Sequence, residues 1–304
     1  MTIVYSSIVI QLFVYFIVAV SLNFVIGYAK SLSIHQAALF GIGAFTYAVI
    51  AGNGWSADLV VCGLAGAVIA GLLSVVLAFG AMRIAGDYFI VASFAFQIFA
   101  VNALYNWPSV SGADNGKYGL PLPSILGFDL ASAWSFIVVF GIVAAVTLAF
   151  AVWLRRSPYG RLLTAMGDSP SALQTAGFGI LRLKVGVFGI SGAFAGLAGV
   201  LFASYVGAID TTTFGIDLAI LLVAMVIIGG TGSAVGSLLG AALIAFAPPL
   251  ISNLPLSSTS AAAVQQLIFA GLLIVVVAAL PRGLVQLGNR PAQLLRRSAR
   301  QVRR

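Results

Sequence analysis

Hydrophobic residues along this chain do not alternate with polar ones in a helical or a strand period; they run together. Nearly continuous apolar stretches occupy residues 8–29, 35–51, 58–80, 88–105, 130–154, 185–207, 216–251 and 262–280, most of them separated by only short polar segments. A helix needs about 20 mainly apolar residues, at about 1.5 Å each, to cross about 30 Å of hydrocarbon. Each run is therefore expected to span a membrane. The run 216–251 is too long for one span: as unbroken helix it would measure about 54 Å. It also contains Gly-Gly-Thr-Gly-Ser-Ala-Val-Gly at 229–236, a poor place for continuous helix. Split there, the chain has about nine transmembrane helices, with eight or ten as bounds because 35–51 is short. The predicted fold class is all-α, a polytopic helical membrane protein. Residues 1–281 form one transmembrane domain that includes a polar loop at 155–184, and 282–304 form a basic tail.

Charge gives the spans a direction. Of the 304 residues, 61% are hydrophobic and 7% charged, where a soluble domain would carry about a quarter. Fifteen Lys and Arg stand against seven acidic residues, all Asp. The loop 155–184 carries Arg155, Arg156, Arg161, Arg182 and Lys184, and the tail carries seven arginines. Basic loops favour the cytoplasm, so both are expected there, and an even number of spans must separate them. The split at the glycines supplies that parity. Counting back places Lys30 and Arg83 on the cytoplasmic side and the N-terminus outside. Lys117 is then the one basic residue outside, together with Asp58, Asp114, Asp129, Asp210 and Asp217. The first apolar run lacks a basic segment before it and is too long for a signal-peptide core, so it is read as a retained span. The arginine tail reads as a topology anchor near anionic headgroups rather than a nucleic-acid site.

Candidate chemistry is sparse. Cys62 is the single cysteine and lies in an apolar run, so it reads as a buried apolar residue. His35 is the single histidine, which removes multi-histidine metal sites and is expected to cap or line a segment end. The glycines at 229–236 lack the lysine and the strand-to-helix context of a phosphate loop. Ion-coupled carriers need ionisable groups at mid-membrane, whereas every Asp, Lys and Arg falls at a span end or in a loop. Asp87 is expected to pair with Arg83. Gln11, Asn23, Gln97 and Asn102 are the uncharged interior polar residues and read first as glue between helices. No catalytic constellation, cofactor site or metal site is expected.

Burial of apolar surface does not drive helices together in lipid, so close backbone approach through small residues matters more. Gly189, Gly192, Gly196, Gly199 and Ala203 recur at spacings of three and four, one stripe down a single helix face. Gly63, Ala67 and Gly71, and again Gly232, Gly236 and Gly240, place small residues every fourth position. These glycines read as helix-packing positions first and as pathway or subunit-seam positions second.

The loop 155–184 is expected to hold two short helices. Ser157-Pro158 and Ser169-Pro170 each read as an N-cap with proline at the first helical position, and Gly167 and Gly177 stand where each helix should stop. In the first, Tyr159, Leu162, Leu163 and Met166 make an apolar face opposite Arg161 and Thr164. In the second, Leu173 and Ala176 repeat the theme weakly. Helices this short are marginal alone. They need a surface, and composition leaves open whether it is the headgroup layer or a soluble partner.

The stretch from Arg156 to Ile209, "RSPYGRLLTAMGDSPSALQTAGFGILRLKVGVFGISGAFAGLAGVLFASYVGAI", and the later "LVAMVIIGGTGSAVGSLLGAAL" resemble the hallmark segments of branched-chain amino-acid ABC permeases of the LivM type. "SLNFVIGYAKSLSIHQAALFGIGAFTYAV" resembles that family's early segment. The resemblance covers about half the chain. It implies a permease subunit of an ATP-binding cassette importer for branched-chain or related amino acids in a bacterial inner membrane. Its coupling loop falls on Ser157, Gly160, Arg161, Ala165, Ala172, Gly177 and Arg182. Gly167 and Gln174 depart from the family, which often has arginine and glutamate there. The implied partners are two ATPase subunits that bind ATP and Mg2+, a periplasmic binding protein, and a second permease of the LivH type or a second copy of this chain. Substrate contacts are not identified. The competing expectation is an ATP-independent carrier or channel for a small polar solute such as urea or a short-chain amide.

Overall fold

The computed structural model describes residues 2–81, 88–125, 127–252 and Gly271. Nearly all of the run 262–280, the tail, Arg83 and Asp87 lie outside these residues. Eight apolar helices correspond to the first eight expected spans: α1 (Thr2–Asn23, continued by one π turn, Phe24–Tyr28), α2 (Gln36–Gly52), α3 (Leu59–Ala81), α4 (Tyr88–Tyr105), α6 (Ala133–Arg156), α9 (Ile180–Val206), α10 (Ile216–Gly229) and α11 (Ala234–Ser252). Three short helices complete the set: α5 (Pro108–Ser111), α7 (Pro158–Asp168) and α8 (Pro170–Thr175). Among the described residues, six helical segments are long and apolar enough to cross a membrane, and two shorter apolar ones, Gln36–Gly52 and Ala234–Phe246, accompany them. The long apolar run breaks at the glycines. α10 ends at Gly229, Gly230 and Gly232 take positive φ of 111° and 79°, and α11 starts at Ala234.

Helix α2 is the centre of the bundle. Ala37, Leu39, Phe40, Ala44, Phe45, Tyr47 and Ala48 are all buried, so this helix meets protein on every side and reads as apolar all round. Its start is held by polar side chains from other helices, as backbone groups deep in a bundle require. The Ile34 amide donates to Ser93 Oγ at 3.1 Å and the Ala38 amide to Gln97 Oε1 at 2.7 Å, while Gln97 Nε2 donates to the Phe214 carbonyl at 2.8 Å. Gln36 Nε2 donates to Ser21 Oγ at 2.6 Å and to Ser191 Oγ at 3.2 Å. His35 occupies the N-cap position but makes no capping bond. Its buried ring stacks on Phe188 with centroids 5.6 Å apart. Gln97 thus joins helices, as does Asn23, whose Nδ2 donates to Ser237 Oγ of α11 at 2.8 Å, whereas Gln11 and Asn102 bond within their own helices, to Tyr15 and to the Ile98 carbonyl, and are exposed.

The two ends of the bundle differ. At one end, segments following α2, α4 and α9 gather into a cap. There β1 (Lys117–Tyr118) pairs antiparallel with β4 (Ala208–Ile209), and β2 (Ser124–Ile125) pairs with β3 (Phe128–Asp129). Ser124 N donates to the Ala57 carbonyl at 2.9 Å, and Tyr47 OH pins Pro121 O at 2.8 Å. The sequence pattern held no sign of these short strands. They are too brief to change the all-α class. Exposed Trp55, Trp107, Tyr118, Phe128 and Trp134 ring this end, the side-chain type favoured at a membrane–water boundary. At the other end of α6 and α9 lies the loop with α7 and α8. Arg155 and Arg156, in the last turn of α6, sit where cations favour the helix dipole.

Candidate functional site

The loop between α6 and α9 is folded, and one serine hinges it. Ser157 is at once the C-cap of α6 and the N-cap of α7, with extended backbone. Its Oγ accepts from the Gly160 amide at 3.0 Å and donates to the Leu154 carbonyl at 2.7 Å. Both a donor orphaned by the new helix and an acceptor orphaned by the old one are satisfied by one hydroxyl. Pro158 follows at the first helical position. Gly160 is required by contact: a Cβ there would press into the Leu154 carbonyl.

The underside of α7 rests on this chain itself, a surface that composition did not suggest. Leu163 and Met166 are buried, and Tyr159 and Leu162 half-buried. Tyr159 OH donates to the Leu183 carbonyl at 2.9 Å. Burial of the ring pushes its phenol up to about 12, so it stays a neutral donor. Asp168, at the end of α7, pairs with Lys30 in the segment between α1 and α2. Both side chains are about half exposed, so the pair holds position more than it stabilises.

Three expectations change here. Gly167 does not stop α7; it lies in the last turn, where a Cβ would be 2.8 Å from Lys30 Cγ and 3.1 Å from the Tyr28 carbonyl oxygen. Its bareness lets the helix approach that segment. Ser169 stands at the N-cap of α8 without a side-chain capping bond. Gly177 does end α8. With φ of +84°, it forms a Schellman closure in which Phe178 N reaches Leu173 O at 3.2 Å and Gly177 N reaches Gln174 O at 2.9 Å. Leu173 is buried, but Ala176 is exposed and adds nothing to the apolar face.

The expected coupling residues therefore divide. Arg161, Ala165, Ala172, Gly177 and Arg182 are exposed and available for contact, while Ser157 and Gly160 shape the chain reversal that presents them.

The glycine stripe of α9 packs against two helices at once. A Cβ on Gly192 would be 2.7 Å from the Ala70 carbonyl oxygen, and one on Gly189 would be 3.1 Å from Val75 Cγ2. At Gly196 it would strike Gly66 of α3, and at Gly199 it would strike Phe40 of α2. On α3, the closest approach falls on Gly66, Ala70 and Ser74 rather than on the row of Gly63, Ala67 and Gly71. Gly232 lies in the turn before α11, not on the helix. Gly236 meets Gly229, and Gly240 meets Met225, across the α10–α11 hairpin.

A family model described as "Branched-chain amino acid transport system / permease component" matches residues 4–277. The chain belongs to this permease family. It is 28% identical to the high-affinity branched-chain amino acid transport system permease protein LivM of Escherichia coli (strain K12), over 94% of this chain and 71% of that protein. It is likewise 28% identical to the probable LivM of Methanocaldococcus jannaschii, over 77% of each. A ribose import permease protein, RbsC of Haemophilus influenzae, is 33% identical over 37% of this chain and 38% of its own length. No solved structure matches. Membership makes the eight apolar helices the membrane part of a multi-pass permease. The residues that sequence reasoning missed in it are Tyr28 and Lys30. They lie far along the chain from the loop residues they touch, Lys30 being 138 positions from Asp168, and the one signal was that Lys30 shares the loop's side of the membrane.

Proposed function

We propose that this chain is the membrane permease subunit of an ATP-binding cassette importer that carries branched-chain or related amino acids inward across a bacterial inner membrane. The observation that carries this reading is the loop 155–184, a folded platform whose underside, Leu163 and Met166, is buried in the permease while Arg161, Ala165, Ala172, Gly177 and Arg182 face out. Connections this long in compact domains are usually functional. Two ATPase subunits, which hold the ATP and Mg2+, would seat on that outer face, and a periplasmic binding protein would dock on the cap at the other end. The cap and the platform lie at opposite ends of α6 and α9, as delivery on one side and power on the other require. The permease does no covalent chemistry in this scheme. A second permease of the LivH type, or a second copy, completes the path.

Branched-chain amino acids are the cargo named for relatives that align over 94% and 77% of this chain, whereas a ribose permease aligns over 37% and a fructose permease over 61%. Uptake of labelled leucine into proteoliposomes is expected only when ATPase subunits, ATP and binding protein are all present. Equal uptake without the ATPase would instead support an ATP-independent carrier.

The sidedness has its own test. Cys62 is the single cysteine, so a Cys62→Ala background has no thiol of its own. In it, Phe128→Cys in the cap is expected to react with an impermeant maleimide added from outside, and Ser169→Cys only after the membrane is opened. Ser258, expected outside by the span count, lies outside the described residues and should label like Phe128. The reverse pattern would invert the topology and put the loop out of reach of any cytosolic ATPase.

A further inference from the structure

One segment joins the docking platform to the glycine hairpin, and it contains an irregular turn of helix. α1 gives way at Phe24–Tyr28 to a π turn, a rare element that concentrates at functional sites. Just before it, Asn23 is buried and uses both ends of its amide on the α10–α11 connection. Its Oδ1 accepts from the Gly232 amide at 2.7 Å, and its Nδ2 donates to the Ser233 carbonyl at 3.0 Å and to Ser237 Oγ at 2.8 Å. Within the π turn, Gly27 lies so close that a Cβ would intrude on Asn23 Oδ1 and the Gly232 backbone. Just after it, the Tyr28 carbonyl lies under Gly167 of α7, and Lys30, at a positive φ of 48°, pairs with Asp168. The π turn thus stands between two grips, one on the hairpin and one on the platform.

That arrangement has a mechanical consequence. A π turn holds one residue more than the α turn it replaces, so converting it to α would rotate the segment beyond it by about 100° and shift that segment by about 1.5 Å along the axis. Asn23 and Lys30 could not both keep their partners through such a change. A pull on α7 would strain the hairpin, and release of the hairpin would free α7. Coupling of this kind needs an element with two discrete arrangements, not mere adjacency, and conversion between π and α would supply the two.

We propose that the Phe24–Tyr28 π turn is the joint that couples the α7–α8 platform to the Gly230–Ser233 turn, with Asn23 as the positioning residue that holds that turn. This rests on the reading of the loop as the ATPase dock. The Gly230–Ser233 turn, with two glycines at positive φ, is then the part that yields.

The test uses the complete complex of permease, ATPase and binding protein in lipid nanodiscs and proteoliposomes, with labelled leucine. Asn23→Ala is expected to retain the ATPase and to hydrolyse ATP at its basal rate, yet to lower leucine transported per ATP by about tenfold, the scale of a coupling energy. Lys30→Ala should lower the same ratio, and the double variant should be no worse than Asn23→Ala alone, because both cut one link. An unchanged ratio in Asn23→Ala, or losses that multiply in the double variant, would overturn the inference. Should Asn23→Ala fail to insert, Ser237→Ala removes just one of the three bonds; a fall of about twofold in the ratio supports the joint, and no fall overturns it. If the unsubstituted permease binds no ATPase, the proposed function fails instead, so the two failures are distinct.

Discussion

Gly196→Leu is expected to abolish the folded permease, while Gly80→Leu leaves it intact. Gly196 sits where three helices meet. A Cβ there would lie 2.6 Å from Ala70 Cβ and 2.9 Å from the Gly66 carbonyl carbon, and a side chain on the facing Gly43 of α2 would in turn strike Gly196. Overpacking a core costs about 1–3 kcal/mol when side chains can give way. Here the nearest obstacle is the α3 backbone at Gly66, which cannot yield without separating the helices, so the loss should exceed about 3 kcal/mol. Domains hold about 5–15 kcal/mol in total, so this substitution removes much of the margin. Gly80 has nothing within 4 Å of its would-be Cβ. The check is the yield of monodisperse protein in mild detergent and its thermal midpoint. A Gly196→Leu protein that melts like the natural one would contradict the three-helix contact.

Gly177→Leu should separate folding from coupling. The residue is exposed, with nothing within 4 Å of its would-be Cβ, but it holds φ of +84° in the closure of α8. An L side chain in the left-handed region costs about 1–2 kcal/mol, enough to fray a helix of six residues while the spans remain packed. The variant is therefore expected to insert and melt normally while substrate-stimulated ATP hydrolysis in the complex falls about tenfold. Gly177→Asn should fall between, since Asn tolerates this conformation. Gly179→Ala is the matched control two residues on, where φ is an ordinary −76°. Normal stimulation in Gly177→Leu would remove the closed α8 from the coupling path.

Much of this design is legible in the residues themselves. The apolar runs mark the eight described apolar helices because a long continuous apolar segment in lipid must satisfy its backbone within itself, and Gly229–Gly236 breaks the long run because successive glycines weaken a helix and supply the positive φ of a tight turn. Ser157 with Pro158 marks the start of α7 through local chemistry alone. What escapes is whatever depends on two distant segments meeting. Spacing flags Gly63, Ala67 and Gly71 as a close-packing row, and α9 does pass it, with the Gly189 carbonyl oxygen 3.2 Å from a would-be Cβ on Gly71, but the tightest contacts fall on the neighbouring row of Gly66, Ala70 and Ser74; periodicity identifies rows and not which one lies deepest in a contact. Asn23 is recognisable as glue between helices, but the Gly232 turn it holds is 209 positions away. The π turn has no composition signal, because one extra residue in a turn of Phe-Val-Ile-Gly-Tyr leaves the apolar run unbroken. Nor does the pairing of Lys30 with Asp168 announce itself, since both are ordinary charges at the ends of their segments.

The central claim is that the outer face of α7 and α8 receives the ATPase. A photo-reactive amino acid placed at Ala172, in the assembled and ATP-hydrolysing complex, measures it directly. Irradiation should join the permease to the ATPase subunit from Ala172, and the same group at Phe128 in the cap should not. Capture of the ATPase from Phe128, or adducts with lipid alone from Ala172, would contradict it.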